Sequence, residues 1–179
     1  DTDRSRGLGD VYKRQVLMNA HALNSTQNIV CSGIQDALEQ EKLQGSEIQM
    51  SLITVDDTNT FSVEESIRDI FMDQTLPDII ICLNELSTTC VYQAVVDYNC
   101  VGEIAILGYY DTDTILKAIE RNVITATISI DTEQMGAFCV DALQEYYNYG
   151  YTSQYFTADV TVIDQSNVEE YLGKQEEAE

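Results

Sequence analysis

The sequence has no tryptophan, a single proline and a single histidine among 179 residues. So little proline argues against a linker-rich or low-complexity chain. One histidine, His21, confines Ser-His-Asp or Cys-His chemistry to that residue, and it has no sequence-local metal partner. No apolar run approaches the ~18 residues of a membrane-spanning helix. Basic residues are scarce, 9 against 31 acidic, for a net charge of −22. That charge repels phosphate backbones, so no nucleic acid is expected as a partner of this chain. The five cysteines, Cys31, Cys82, Cys90, Cys100 and Cys139, are odd in number and include no CxxC pair. Neither a zinc cluster nor a disulfide framework is expected, and Cys82, inside an apolar run, reads as a small core residue.

Enzyme signatures are missing as well. There is no GxSxG elbow, no phosphate-binding P-loop, and no GxGxxG after a strand. Carboxylates are abundant, but at this net charge abundance carries no acid–base signal. "DDTNT" (56–60) lacks the glycine and distal glutamate of a calcium loop and reads as a solvated turn. No cofactor and no metal are expected.

What is present is an alternation of two periodicities. Helical spacing or capping signals mark 25–40, 62–74, 87–98, 112–121 and 131 to about 147. Strand patterns mark 16–18, 47–55, 78–83, 103–109, 123–130 and 156–163, and 166–172 reads as a last helical turn. The runs "DIIICL" (78–83) and "EIAILGY" (103–109) suit strands covered on both faces. The fold class expected is α/β: a doubly wound, mostly parallel sheet with helices on both faces.

Residues 1–15, "DTDRSRGLGDVYKRQ", stand apart. They hold four of the nine basic residues, and without them and their three acids the chain has 5 basic against 28 acidic residues. The break at Val16 marks 1–15 as a non-native tail that resembles translated sequencing-adapter sequence, and it is left out of the expected fold. At the other end, "GKQEEAE" (173–179) reads as a frayed acidic tail.

In doubly wound sheets, ligands bind outside the carboxyl ends of the strands. Four such ends carry polar or aromatic groups: "NAHALNS" (19–25), "DDTNTF" (56–61), "NELS" (84–87) and "YYDTD" (109–113). Each leads into a helix N-terminus, whose free N–H groups favour acceptors. Asn84 offers a donor and an acceptor. Tyr109 and Tyr110 offer flat faces and hydroxyls. Against this stands a plainer role for Ser87, Asp111 and Asp131 as helix caps, and of local packing for the two tyrosines.

At "DIIICLNELSTTCVYQAV", "IAILGYYDTDTILKAI" and "ITATISIDTEQMGAFCVDAL" the sequence resembles the type I periplasmic sugar-binding protein family, over about residues 16–172. The resemblance implies a two-lobed α/β protein that closes on a small ligand. It makes 16–131 a ligand-binding lobe, 132–155 a crossover helix and loop of the otherwise missing first lobe, and 156–172 a return strand and final helical turn. Asn84 then matches an asparagine that bonds sugar hydroxyls. Tyr110 stands where the family has a carboxylate after its strand-end glycine, and Asp111 takes the helix-start place. Ile130 replaces a common glutamine, and Asn28 aligns with a frequent arginine.

The resemblance implies a ligand-binding set of Asn84, Tyr110, Tyr109, Asp111 and Asn28, in which a stacking ring replaces a sugar-gripping carboxylate. The expected function is a solute-binding protein that captures a small ligand, a sugar among the candidates, for a bacterial uptake system without catalysis. Its partner would be a membrane transporter permease and its location extracytoplasmic. Two alternatives stay open: the effector domain of a lactose-repressor-type regulator, which would be cytoplasmic, and the sensing domain of a membrane receptor. Helix 132–147, deprived of its partner sheet, is expected to make the chain self-associate.

Overall fold

The computed structural model describes residues 12–19, 25–43, 48–55, 59–72 and 76–176. They form β1 (Tyr12–Asn19), α1 (Ser25–Leu43), β2 (Ile48–Val55), α2 (Thr60–Met72), β3 (Ile79–Cys82), α3 (Glu85–Asp97), β4 (Ala105–Tyr109), α4 (Asp113–Glu120), β5 (Ala126–Ile130), α5 (Thr132–Tyr149), β6 (Val160–Asp164) and α6 (Val168–Glu176). His21 and residues 56–58 lie outside the described residues.

One sheet holds all six strands in the order β2-β1-β3-β4-β5-β6. The first five are parallel, and β6 returns antiparallel against β5, with Ile130 opposite Val160. The chain leaves β1 toward β2, then crosses back over β1 to start β3. The direction of winding therefore reverses between β1 and β3. That is the topological switch point, where α/β sheets open a crevice at their carboxyl edge.

The doubly wound expectation holds residue by residue along β3. Ile80 and Cys82 point into the main core with Val63, Ile67, Val91, Val95, Ile115 and Ile119 from α2, α3 and α4. Ile81 points the other way, into a smaller cluster with Cys31, Val30 and Ile34 of α1. Alternate residues of a strand face opposite sides, so a strand covered twice must be apolar at every position, as this one is.

Several boundaries move. β1 starts at Tyr12, and residues 12–15 pair with 48–51 of β2. The tail boundary drawn at Val16 therefore falls inside a central strand. Ladder bonds use only backbone groups, so the composition break there did not end the strand. Of the apolar residues Ile29, Val30, Ile34, Ala37 and Leu38 whose spacing marks α1 as a helix, Leu38 is buried and Val30 and Ile34 pack beneath the sheet, whereas Ile29 is 72% exposed. α2 is capped by Asn59, whose Oδ1 accepts the Ser62 N–H at 3.1 Å, so the helix starts at Thr60, two residues before the expected 62. β6 starts at Val160, not 156, and α6 runs past 172 into the stretch read as a tail.

α5 is unlike the other interior helices, for none of its 18 residues is buried. Met135, Val140, Leu143, Tyr146 and Tyr147 are all exposed. The helix ends on Gly150 in the left-handed conformation, φ 77°, with its N–H on the Tyr146 carbonyl. The loop after it is ordered by Glu145, whose carboxylate accepts the Ser153 N–H at 2.6 Å and its hydroxyl at 3.0 Å.

Candidate functional site

The carboxyl ends of β3 and β4 lie side by side, because Ile79–Ile81 pair with 105–107. Asn84 leaves β3 extended, and its Oδ1 accepts the Ser87 N–H at 2.7 Å. Asn84 is thus the N-cap of α3. Ser87, read as a possible cap, lies inside the helix instead, with a buried hydroxyl that has no partner.

One buried side chain joins the two strand ends. The Thr88 hydroxyl donates to the Asn84 carbonyl at 2.8 Å and accepts the Tyr109 N–H at 3.1 Å. Thr88 also sets the residue before the tyrosines. A Cβ at Gly108 would come within 2.7 Å of the Thr88 Cγ2 and 3.2 Å of the Thr127 Oγ1. Only glycine lets α3 pack this close to β4.

Tyr110 then takes φ +74°, a left-handed conformation on a bulky residue. Its N–H donates to the Ile128 carbonyl at 2.8 Å, and its own carbonyl accepts the Thr127 hydroxyl at 2.6 Å. The Tyr109 and Tyr110 rings meet edge to face, with centroids 5.0 Å apart and planes at 87°. Tyr109 is half-buried, and loss of solvent, followed by the neighbouring Tyr110 phenol, raises its pKa. Tyr110 keeps 38% of its surface exposed.

Asp111 departs from the expected helix-start role. Its carboxylate accepts the Ser129 hydroxyl at 2.8 Å, and Thr112 takes the N-cap position of α4 without a side-chain bond. Asp131 is a cap as read, accepting the Gln134 N–H at 2.9 Å. Asn28 is an exposed residue near the start of α1, which follows β1 on the other side of the switch point. Asn84, Tyr109 and Tyr110 are therefore tied together, Asp111 is tied to β5, and Asn28 belongs to the adjoining strand end.

Sequence reading missed Thr88, Thr127 and Ser129. A signal was available for two of them: "ATISI" alternates, and its polar members Thr127 and Ser129 are the buried ones.

Two concavities stand out. One of about 510 Å³ lies beside the crossover, lined by Asp111, Ser129, Asp131, Glu133, Asp159 and Tyr171. The other, about 210 Å³, is a groove between α2 and α3, in the helical layer beside the sheet. Among the described residues no group of three or more His, Cys, Asp or Glu is placed to hold a metal. No described helix is long and apolar enough to cross a membrane.

No family model matches the sequence, and no curated protein matches it. Solved structures do match the fold. A glucose-galactose binding protein, GanP, from Geobacillus stearothermophilus superposes with TM-score 0.76 at 16% identity, over 87% of this chain and 54% of that one. A solute-binding protein of an ABC transporter from Bacillus halodurans C-125, with bound myo-inositol, gives 0.77 at 15% identity, over 90% and 54%. The XylFII–LytSN complex gives 0.73 at 21% identity, over 89% and 55%. The chain thus has the type I periplasmic-binding-protein-like fold, and it spans a little over half the length of these structures.

Proposed function

We propose that this chain is one lobe, with the return crossover, of a solute-binding protein that captures a small ligand without catalysis. A neutral sugar or polyol is the favoured ligand class, and Asn84, Tyr109 and Tyr110, with Asn28 and Asp111 beside them, form the ligand-binding set. The observation that carries this reading is the junction at Thr88. It gathers the ends of β3 and β4 next to the switch point, where this class of sheet takes its ligands. The fold shared with sugar-binding and inositol-binding proteins supports it.

On the same reading the missing cover of α5 is a second lobe, and residues 132–155 belong to it. The protein would work outside the cytoplasm and deliver its ligand to a membrane permease. The fold likeness to a protein solved as the XylFII–LytSN complex supports a second version, in which the closed lobe pair docks on a sensing partner instead.

Ligand-observed NMR of the chain with D-glucose, D-xylose, D-ribose and myo-inositol tests the reading. Asn84→Asp preserves the cap but removes the amide donor. It should weaken binding by about 1–3 kcal/mol, the range for a lost polar partner. Equal binding by the variant would take Asn84 out of the site.

A further inference from the structure

We propose that Thr88 and Thr127 are positioning residues that fix Tyr110 as a rigid stacking wall, so that the site selects a neutral ring with a flat C–H face. This rests on the binding reading above and deepens it.

The backbone gives the first reason. Glycine populates φ +74° freely, whereas a bulky aromatic there is an outlier that the surroundings must impose. Here they do. Thr88 holds the Tyr109 N–H from the α3 side, and Ile128 and Thr127 hold the Tyr110 N–H and C=O from the β5 side. The two threonines are 0% and 1% exposed. A buried hydroxyl costs free energy unless it is bonded, and valine would fill either place without that cost. The hydroxyls are accounted for by what they hold.

The side chain gives the second reason. A strained tyrosine whose ring stayed packed would be explained by the core. This residue is over a third exposed, and its ring meets that of Tyr109 edge to face. The bracing fixes the ring plane at the carboxyl end of β4.

Charge gives the third. Asp111, the nearest carboxylate in sequence, is turned onto the Ser129 hydroxyl. The nearest carboxylate is thus engaged by a hydroxyl on β5, and the net charge of −22 disfavours an anion. A pyranose or cyclitol with equatorial hydroxyls fits: its C–H face lies on the ring, and its hydroxyls stay at the rim for polar partners.

The test is NMR on the whole chain with D-glucose and myo-inositol at millimolar concentration, and with D-sorbitol as an acyclic control. Irradiating tyrosine ring protons should transfer saturation to the ring C–H protons of glucose and inositol, and much less to sorbitol. Tyr110→Ala should abolish the transfer and weaken binding about 2- to 10-fold. Thr127→Val should do the same and move the Tyr110 Cα shift out of the left-handed range, while Thr127→Ser restores both. Should Thr127→Val not fold, Tyr110→Gly serves: it should melt higher than Tyr110→Ala and show no transfer. Binding that perturbs the Asn84 amide yet ignores Tyr110→Ala, or sorbitol bound as well as glucose, would overturn this proposal and leave the site standing. Absence of any perturbation at Asn84 by every probe would sink the site reading and this proposal with it.

Discussion

Gln134 and Asp159 clasp each other where the chain leaves the sheet and where it returns. The Gln134 amide donates to the Asp159 carboxylate at 2.7 Å, and the Asp159 N–H donates to the Gln134 Oε1 at 3.1 Å. Beside them the Asp131 N–H bonds the Asp159 carbonyl at 2.9 Å. The two crossover segments therefore run as one strap. In a double-mutant cycle of Gln134→Ala and Asp159→Ala, the coupling should be about 0.5–1.5 kcal/mol, the net value of ordinary hydrogen bonds. Additive effects would mean that the strap is not formed in solution.

Gly108→Ala should destabilise the lobe by about 1–3 kcal/mol, the usual cost of overpacking. The added methyl meets the branched, stiff Thr88 side chain at 2.7 Å, and that residue cannot retreat from a fully buried place. Thr88→Ser removes the offending methyl and keeps the hydroxyl. The pair Gly108→Ala with Thr88→Ser should recover part of the loss in a urea melt. A silent Gly108→Ala would show that the α3–β4 approach is looser than it looks.

The thiols set an alkaline limit. Burial pushes Cys82 up to about 12 and Cys90 up to about 11, from an ordinary 9.0. Folded thiols then keep their protons where unfolded ones have lost them. Stability from this source is whole below pH 9 and falls between about 9 and 12, because the unfolded state binds fewer protons there. Cys82→Ala combined with Cys90→Ala should flatten that arm of the pH–stability curve. At neutral pH one thiol, the exposed Cys139, should react quickly with a disulfide reagent, and the four buried ones only on unfolding. Fast reaction of Cys82 would contradict the packing of β3.

The exposed face of α5 and the aromatic loop after it should associate, but against charge. No lysine, arginine or histidine occurs from 122 to 173, so two copies repel each other. Light scattering should give a monomer at about 0.01 M salt, where the Debye length is ~30 Å, and a rising mass toward about 1 M, where it is ~3 Å. Leu143→Glu should abolish the rise. A monomer at every salt concentration would mean that this face is not sticky enough to need a cover.

The sequence was legible where structure is periodic. Ile67, Ile70 and Phe71 on α2, and Cys90, Val91 and Val95 on α3, are buried as their spacing implies. The apolar runs ending at Leu83 and Tyr109 are β3 and β4, the strands whose ends carry Asn84 and the two tyrosines. What could not be read depends on partners far along the chain. Thr127 looks like any strand threonine until Tyr110, 17 residues away, needs its hydroxyl. Asp111 looks like a cap until Ser129 takes its carboxylate. Tyr110 itself sits in a conformation that local preference would assign to glycine, so no propensity argument could have found it. The start of β1 at Tyr12 was missed because pairing with β2 and β3 fixes that strand, not the character of its side chains.

The central claim is that the strand ends around Asn84 and Tyr110 take a small neutral ligand. The most direct measurement is an amide-shift map of the 15N-labelled chain titrated with D-glucose and myo-inositol. The account predicts saturable shifts grouped at 84–88 and 108–111, with smaller ones at 127–129 through the Thr127 and Ser129 bonds. Shifts confined to the α2–α3 groove, or none at all at the strand ends, would contradict it.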